Sequence, residues 1–478
     1  MINSKTIEYY HTSYVSNYNP FLCEYLANRS KLDRRLNIAI IVYLIAVLII
    51  AITLSRPIFA YESPPPEKKI ITKQERIYLQ KNFEENIKNK YNKSHITFPT
   101  KGIAHIKTTK YINKKPIKVN IVEINTTINK NLKIKPQTAS SKLNSKKTVK
   151  RIAQQQGAII AINGGYFKPQ TGVPLGALMI DRNVLTGPIF NRVGIAIFEN
   201  GNDISFKMDK INFEIKAYTK KDFVLVDNIN QPRMLSTYTL LYTPQWGKAS
   251  PVAPKNCYNM LIVDNKIEKI SANPIEFVEN GVVLQAPKKV ISKLAKNNKE
   301  VYIDIKLQDN LKHARHIIGA GPYLVKDSEV FVDITEQKFQ AIAGRNPRSA
   351  IGFKNDGTLI IATIDGREKT SVGMTLTELA KFMKSIGCDY AMNFDGGSSS
   401  ALYVKGKTVN SAINKEGIAV SNALLISEIY DNELQLSSLW LDWIIAFIAS
   451  GIYLIKSEAS TQYSVIAFEA ISLAMPWI

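Results

Sequence analysis

The chain has 478 residues, 45% of them hydrophobic and 21% charged, and carries a formal net charge of +22. That apolar share excludes a disordered or fibrous polymer, and the length suits one large domain with appendages or two domains. Lys and Arg are concentrated between residues 65 and 155; such a surface suits an anionic membrane, an acidic polymer or nucleic acid, although Lys is frequent throughout and many of these side chains need only be solvated.

Residues 36–54 (LNIAIIVYLIAVLIIAITL) are almost wholly apolar and just long enough to cross a bilayer as a helix. Arg29, Lys31, Arg34 and Arg35 precede the run and Arg56 follows it. Positive flanks stay inside, so the expectation is a transmembrane signal anchor behind a cytoplasmic basic segment, residues 1–35, with the bulk of the chain outside the cytoplasm. A cleaved signal peptide is the competing reading, for which Ile58-Phe59-Ala60 is a poor cleavage site. An exported chain excludes nucleic acid as a partner and leaves the membrane and a glycan. Residues 55–94 read as a Pro-containing linker and charged stalk, 95–430 as the main domain, and 431–478 as an apolar tail that either spans the membrane again or packs on a core. Cys23, Cys257 and Cys388 show neither metal-ligand nor disulfide-framework spacing, so buried free thiols are expected.

Alternating apolar residues from about residue 96 onward predict a strand-rich region. Residues 148–156 form a short helix stopped by Gly157 and followed by a buried strand, 158–162, that enters Asn163-Gly164-Gly165. Hairpins are predicted around Asn200-Gly201, Asp264-Asn265-Lys266 and Asn355-Asp356-Gly357. Thr375 and Glu378 form a capping box ahead of an apolar stripe that ends at Gly387.

The chemistry concentrates at strand ends. In Asn393-Phe394-Asp395-Gly396-Gly397-Ser398, period-two alternation puts Phe394 on an apolar face and Asn393 and Asp395 on the other, before a glycine turn that lets a ligand approach the backbone. Read blandly, this is a polar turn closing a strand. Arg345-Asn346-Pro347-Arg348 presents two guanidiniums around a rigid proline, which suits phosphate or carboxylate, or simply forms a basic loop. Asp365-Gly366-Arg367 repeats the pairing of carboxylate, glycine and guanidinium. His316, Gly319, Gly321 and Pro322 make a further glycine turn; a lone histidine is more often structural than catalytic, but the adjacent glycines and the rarity of histidine, five in all, balance the two readings for His316. Carboxylates beside arginines suit cleavage at a sugar carbon when one side of the bond is phosphate, because the arginines neutralise the leaving group. Neither a GxSxG elbow nor a GxxxxGK[ST] phosphate loop is present.

The ordered series INGGYF (162–167), IIGAGPYLV (317–325), RNPRSAIGF (345–353), DGR (365–367), SVGMTLTELA (371–380) and NFDGGSSSALYV (393–404) resembles the phosphodiester glycosidase domain. The resemblance spans roughly residues 95–430, with Ala320 and Phe394 as mild departures where glycine and leucine are common. It implies hydrolysis of a sugar-1-phosphodiester and an α+β fold class, a central, largely antiparallel mixed sheet with a few flanking helices, here preceded by the transmembrane helix; with the chain outside the cytoplasm, the expected substrate is a cell-envelope or extracellular glycan. It carries over Asn163, Arg348, Asp365, Asn393 and Asp395, with the Gly-Gly pairs shaping the pocket. Some members of the family look able to bind a divalent cation, which nothing in this sequence dictates. The expected roles are catalysis by Asp395 and Asp365 with Arg348 and His316. Substrate binding falls to Asn163, Gly164, Gly165, Arg345, Gly321, Arg367, Asn393, Gly396, Gly397 and Ser398. The alternative is a non-catalytic module that binds or assembles polysaccharide on the same fold.

Overall fold

The computed structural model describes residues 73–296 and 299–429. The predicted anchor at 36–54 and the apolar tail at 431–478 lie outside the described residues, and no described helix is long and apolar enough to cross a membrane. The α+β expectation is overturned. The described residues are mostly β, with five sheets and four α-helices in place of one central sheet flanked by helices. The physical reason lies between residues 174 and 310. There the strands are as short as Leu178–Ile180 and Leu240–Tyr242, too short to show an alternating pattern, yet they pair into further sheets.

The sheet that organises the site has eight strands, all in antiparallel pairs. Its central strands, Arg348–Phe353 and Leu359–Ile364, are buried at every position because both faces are covered. Period-two alternation sorts their side chains. Ile351, Ile361, Met392 and Phe394 join a core shared with Ile160, Ile162, Leu402 and Leu424 of a five-stranded sheet. Ala350, Ala362, Ile364 and Ala391 point the other way, onto the helix Leu376–Ser385. That helix starts as its sequence predicts. The Thr375 hydroxyl accepts from the Glu378 amide at 3.2 Å, and the Glu378 carboxylate accepts from the Thr375 amide at 2.8 Å, satisfying two amides that lack helical partners.

The charged helix Lys73–Lys90 is anchored at its end by a buried ionic group. Glu123, 2% exposed, accepts from Lys90 Nζ and the Tyr91 hydroxyl, each at 2.6 Å, and from Lys354 Nζ at 3.1 Å. Lys90 also donates to the carbonyl of Ile386 at 2.7 Å, so one cluster ties helix, sheet and the end of the capped helix together. Burial alone would raise the Glu123 pKa, but the two ammonium groups and the hydrogen bonds outweigh it and hold the carboxyl below its usual range. Cys257 and Cys388 are buried free thiols.

Candidate active site

The strand Tyr390–Asn393 pairs antiparallel with Arg348–Phe353, Ala350 standing opposite Asn393. Two residues on, the same ladder brings Arg348 opposite Asp395. The amide of Phe394 donates to the Ser349 carbonyl at 2.8 Å and that of Gly397 to the Pro347 carbonyl at 2.9 Å, so the pairing continues past the strand end. Residues opposite each other in an antiparallel pair share a face, and both Arg348 and Asp395 line one cavity of about 710 Å³. Arg367, Gly396, Gly397 and Ser398 line it too, with Tyr166 and Lys146.

Arg348 is 1% exposed. Its Nε donates to the Met374 carbonyl at 2.9 Å, and its Nη2 donates to the Ile342 carbonyl at 2.8 Å and also to that of Gly344. Carbonyls orient the group without neutralising it, so its charge stays available to the cavity. Burial pushes its pKa down to about 10, still leaving a cation at neutral pH. Arg367 donates from Nη2 to Asn346 Oδ1 at 2.9 Å and reaches Ser398 Oγ at 3.4 Å. Its backbone lies in the left-handed region (φ 64°), a conformation costing about 1–3 kcal/mol for such a residue. The adjoining Gly397, also left-handed, packs 3.1 Å from Arg367 Nη2 at the point a Cβ would occupy.

Asp395 is the one carboxylate on the cavity wall among the described residues. Burial pushes its pKa up to about 6, opposed by hydrogen bonds from the Ser399 side chain and from the Gly396 amide, the latter at 2.9 Å. Asn163 fixes its backbone: Nδ2 donates to the Asp395 carbonyl at 2.7 Å, while Oδ1 accepts from Ser349 Oγ at 2.7 Å and the Ala401 amide at 3.1 Å. Two strands and a turn are thereby pinned at one point.

Several residues expected at the site stand elsewhere or behind it. Asn163, with every polar atom used by the protein, positions the wall and does not line the cavity. Asn393 is fully buried, its Nδ2 donating to the Tyr166 hydroxyl at 2.8 Å and to the Gly321 carbonyl at 3.3 Å. Gly321 accepts from the Tyr166 hydroxyl at 2.8 Å and so seats a residue that does line the cavity. Gly164 and Gly165 allow close packing of strands: a Cβ would fall 2.0 Å from Asn422 Oδ1 at the first and 2.4 Å from the Gly319 carbonyl at the second. Asp365 is 2% exposed and absent from the cavity wall; its carboxylate accepts from the Ser411 amide at 2.9 Å and its carbonyl from Ser371 Oγ at 2.6 Å. Arg345 pairs with Glu378 at 2.5 Å and donates to the Gly373 carbonyl at 2.6 Å. His316 is 1% exposed, and its Nδ1 accepts from the Asp181 amide at 3.0 Å. Burial pushes its pKa down to about 4, so it is neutral.

Tyr166 and Lys146 escaped the sequence reading as site residues. Tyr166 belongs to INGGYF but is placed by distant partners, Gly321 and Asn393, that its local sequence does not show; Lys146 lies in a run of lysines that gives no sign which one faces a cavity. Among the described residues no group of three His, Cys, Asp or Glu side chains stands together to hold a metal ion. The cavity wall therefore presents one carboxylate of raised pKa, two guanidiniums and an ammonium, a set suited to an anionic ligand undergoing proton transfer.

Comparison with known proteins agrees with the motif reading. Residues 257–427 match the family model described as phosphodiester glycosidase, and the resemblance carried by the motifs is shown over that segment. A stretch of 132 residues is 39% identical to the SPbeta prophage-derived uncharacterized protein YomE of Bacillus subtilis (strain 168), covering 27% of this chain and 20% of that protein. The aligned region is thus about a fifth of that relative's length. Among solved structures, a hypothetical protein from Synechocystis superposes with a TM-score of 0.63 at 22% identity, over 70% of this chain and 63% of the other. A protein of Burkholderia pseudomallei K96243 gives 0.57 at 22% identity, over 66% and 74%. At that identity these two share the fold alone.

Proposed function

We propose that the chain hydrolyses sugar-1-phosphodiesters of a cell-envelope or extracellular glycan, breaking the bond between the anomeric carbon and the phosphate oxygen. One observation carries the reading: Arg348 and Asp395 face the same cavity from neighbouring strands, with Arg367 beside them. A phosphodiester enters with one negative charge, and more charge develops on the phosphate as the bond to the sugar stretches. Two guanidiniums already in place stabilise that charge without reorganising. Water adds to the sugar carbon and passes a proton to the Asp395 carboxylate, while the bond pair leaves with the phosphate as a monoester. An ordinary glycosidase needs a second carboxyl to protonate an alkoxide leaving group. A phosphate leaves as a stable anion, so a cavity holding a single carboxylate is enough.

The test is release of reducing sugar from a panel of sugar 1-(methyl phosphate) diesters by the full chain. Turnover is expected, with Asp395→Asn lowering it by about 100-fold or more. Tight binding of the diesters without turnover identifies a non-catalytic glycan-binding module and removes the proposal.

A further inference from the structure

A second cavity, of about 510 Å³, is lined in part by residues that alternate along the chain with those of the first. Its wall includes Trp246 and Tyr242, in edge contact at 4.9 Å between ring centroids, together with Pro251 and the exposed Val252. Lys168 and Lys248 stand on the same wall. The two cavities share both segments of chain that separate them. Asn144 lines the second and Lys146 the first; Phe167 and Pro169 line the first while Lys168 and Thr171 line the second. Lys146 Nζ donates to the Pro169 carbonyl, joining the two segments. Residues two apart are separated by at most ~7 Å, so the lining residues of the two cavities interleave closely along both segments.

We infer that the Trp246 cavity is a subsite for a second saccharide of a phosphate-linked glycan chain, so that the preferred substrate is a polymer of glycosyl phosphate units. This rests on the phosphodiester reading of the neighbouring cavity. A pyranose has faces of C–H bonds and a rim of hydroxyls, which matches an aromatic plane walled by apolar side chains and edged by polar groups. The ammonium groups of Lys168 and Lys248 favour a chain that carries phosphate over a neutral one.

The experiment uses the full chain carrying Asp395→Asn, so that binding is read without turnover. Calorimetry compares N-acetylglucosamine 1-(methyl phosphate) diester with a dimer of N-acetylglucosamine 1-phosphate units joined by a phosphodiester. The dimer is expected to bind about tenfold more tightly, and adding Trp246→Ala erases that advantage. Because Trp246 packs on Tyr242, Val252→Glu provides a second variant at an exposed position; its carboxylate repels the anionic chain and also reduces the advantage. Equal affinity for both ligands, or an advantage that survives both substitutions, overturns the inference. Absence of turnover by the unsubstituted chain is a separate result that bears on the hydrolytic reading alone.

Discussion

Arg348 and Asp395 occupy opposed positions on adjacent antiparallel strands, 47 residues apart in sequence, and both open onto one cavity. The strand ladder fixes which face they share, and carbonyls on one side and an amide turn on the other fix how they stand. A cation and an acid held by backbone groups are rigid before any ligand arrives, which is what stabilisation of a developing charge requires.

Arg348→Lys is expected to lower kcat/KM by about 100-fold or more, because an ammonium cannot reach several divergent carbonyls and present charge to the cavity as well. Arg367 is more exposed and carries less of the site. Arg367→Ala should act mainly on KM, by about tenfold, and the difference from the unsubstituted chain should shrink as salt is added. Steady-state kinetics at two ionic strengths checks both.

The raised pKa of Asp395 links the site to stability. Between the unfolded carboxyl value near 3.8 and the folded value of about 6, the folded chain binds the additional proton, so stability falls as pH rises through that window. Asp395→Asn removes the buried charge. Its melting temperature should exceed that of the unsubstituted chain at about pH 8, with the difference gone at about pH 4. The unsubstituted chain should show the opposite demand, with kcat/KM rising through pH 6 as the carboxylate forms. Thermal melts and a pH–rate profile read the two trends independently.

The ionic cluster around Glu123 tests the scaffold. Glu123→Ala leaves Lys90 and Lys354 without their shared carboxylate, and a loss of about 3–5 kcal/mol is expected. Glu123→Gln keeps the hydrogen-bond acceptor and should cost less. Since the folded pKa lies below the unfolded value, this contribution is present above the ordinary carboxyl range and is lost as pH falls through the depressed value. Chemical denaturation at neutral and acid pH measures it.

Asn163 is a positioning residue, and Asn163→Ala should separate position from contact. Three hydrogen bonds disappear, so the melting temperature should drop, and kcat should fall more than KM rises because the Asp395 backbone loses its tether. A change confined to KM would indicate direct contact with the sugar.

What the sequence disclosed follows from the range of the forces involved. The capping box of Thr375 and Glu378 and the alternation that sets Phe394 against Asp395 are local, and both stand as read. The choice between Arg345 and Arg348 is not local. They lie three residues apart in one motif, yet Arg345 ends on Glu378 and only Arg348 reaches the cavity. Likewise, the glycines after Asn163 look like pocket formers until Asn422, more than 250 residues later, is found against the first of them. Asp365 and His316 resemble catalytic groups by type and neighbours, but Ser411 and Asp181 employ them inside the protein. Sheet number was under-read for a related reason: strands of three or four residues are specified by their partners, not by their own pattern.

The most direct measurement follows the bond that breaks. The full chain is incubated with a sugar 1-(methyl phosphate) diester in water enriched in heavy oxygen, and both products are analysed by mass spectrometry. Attack at the anomeric carbon, as proposed, places the heavy oxygen in the sugar hydroxyl and none in methyl phosphate. Heavy oxygen in the phosphate would mean cleavage at phosphorus and would contradict the account.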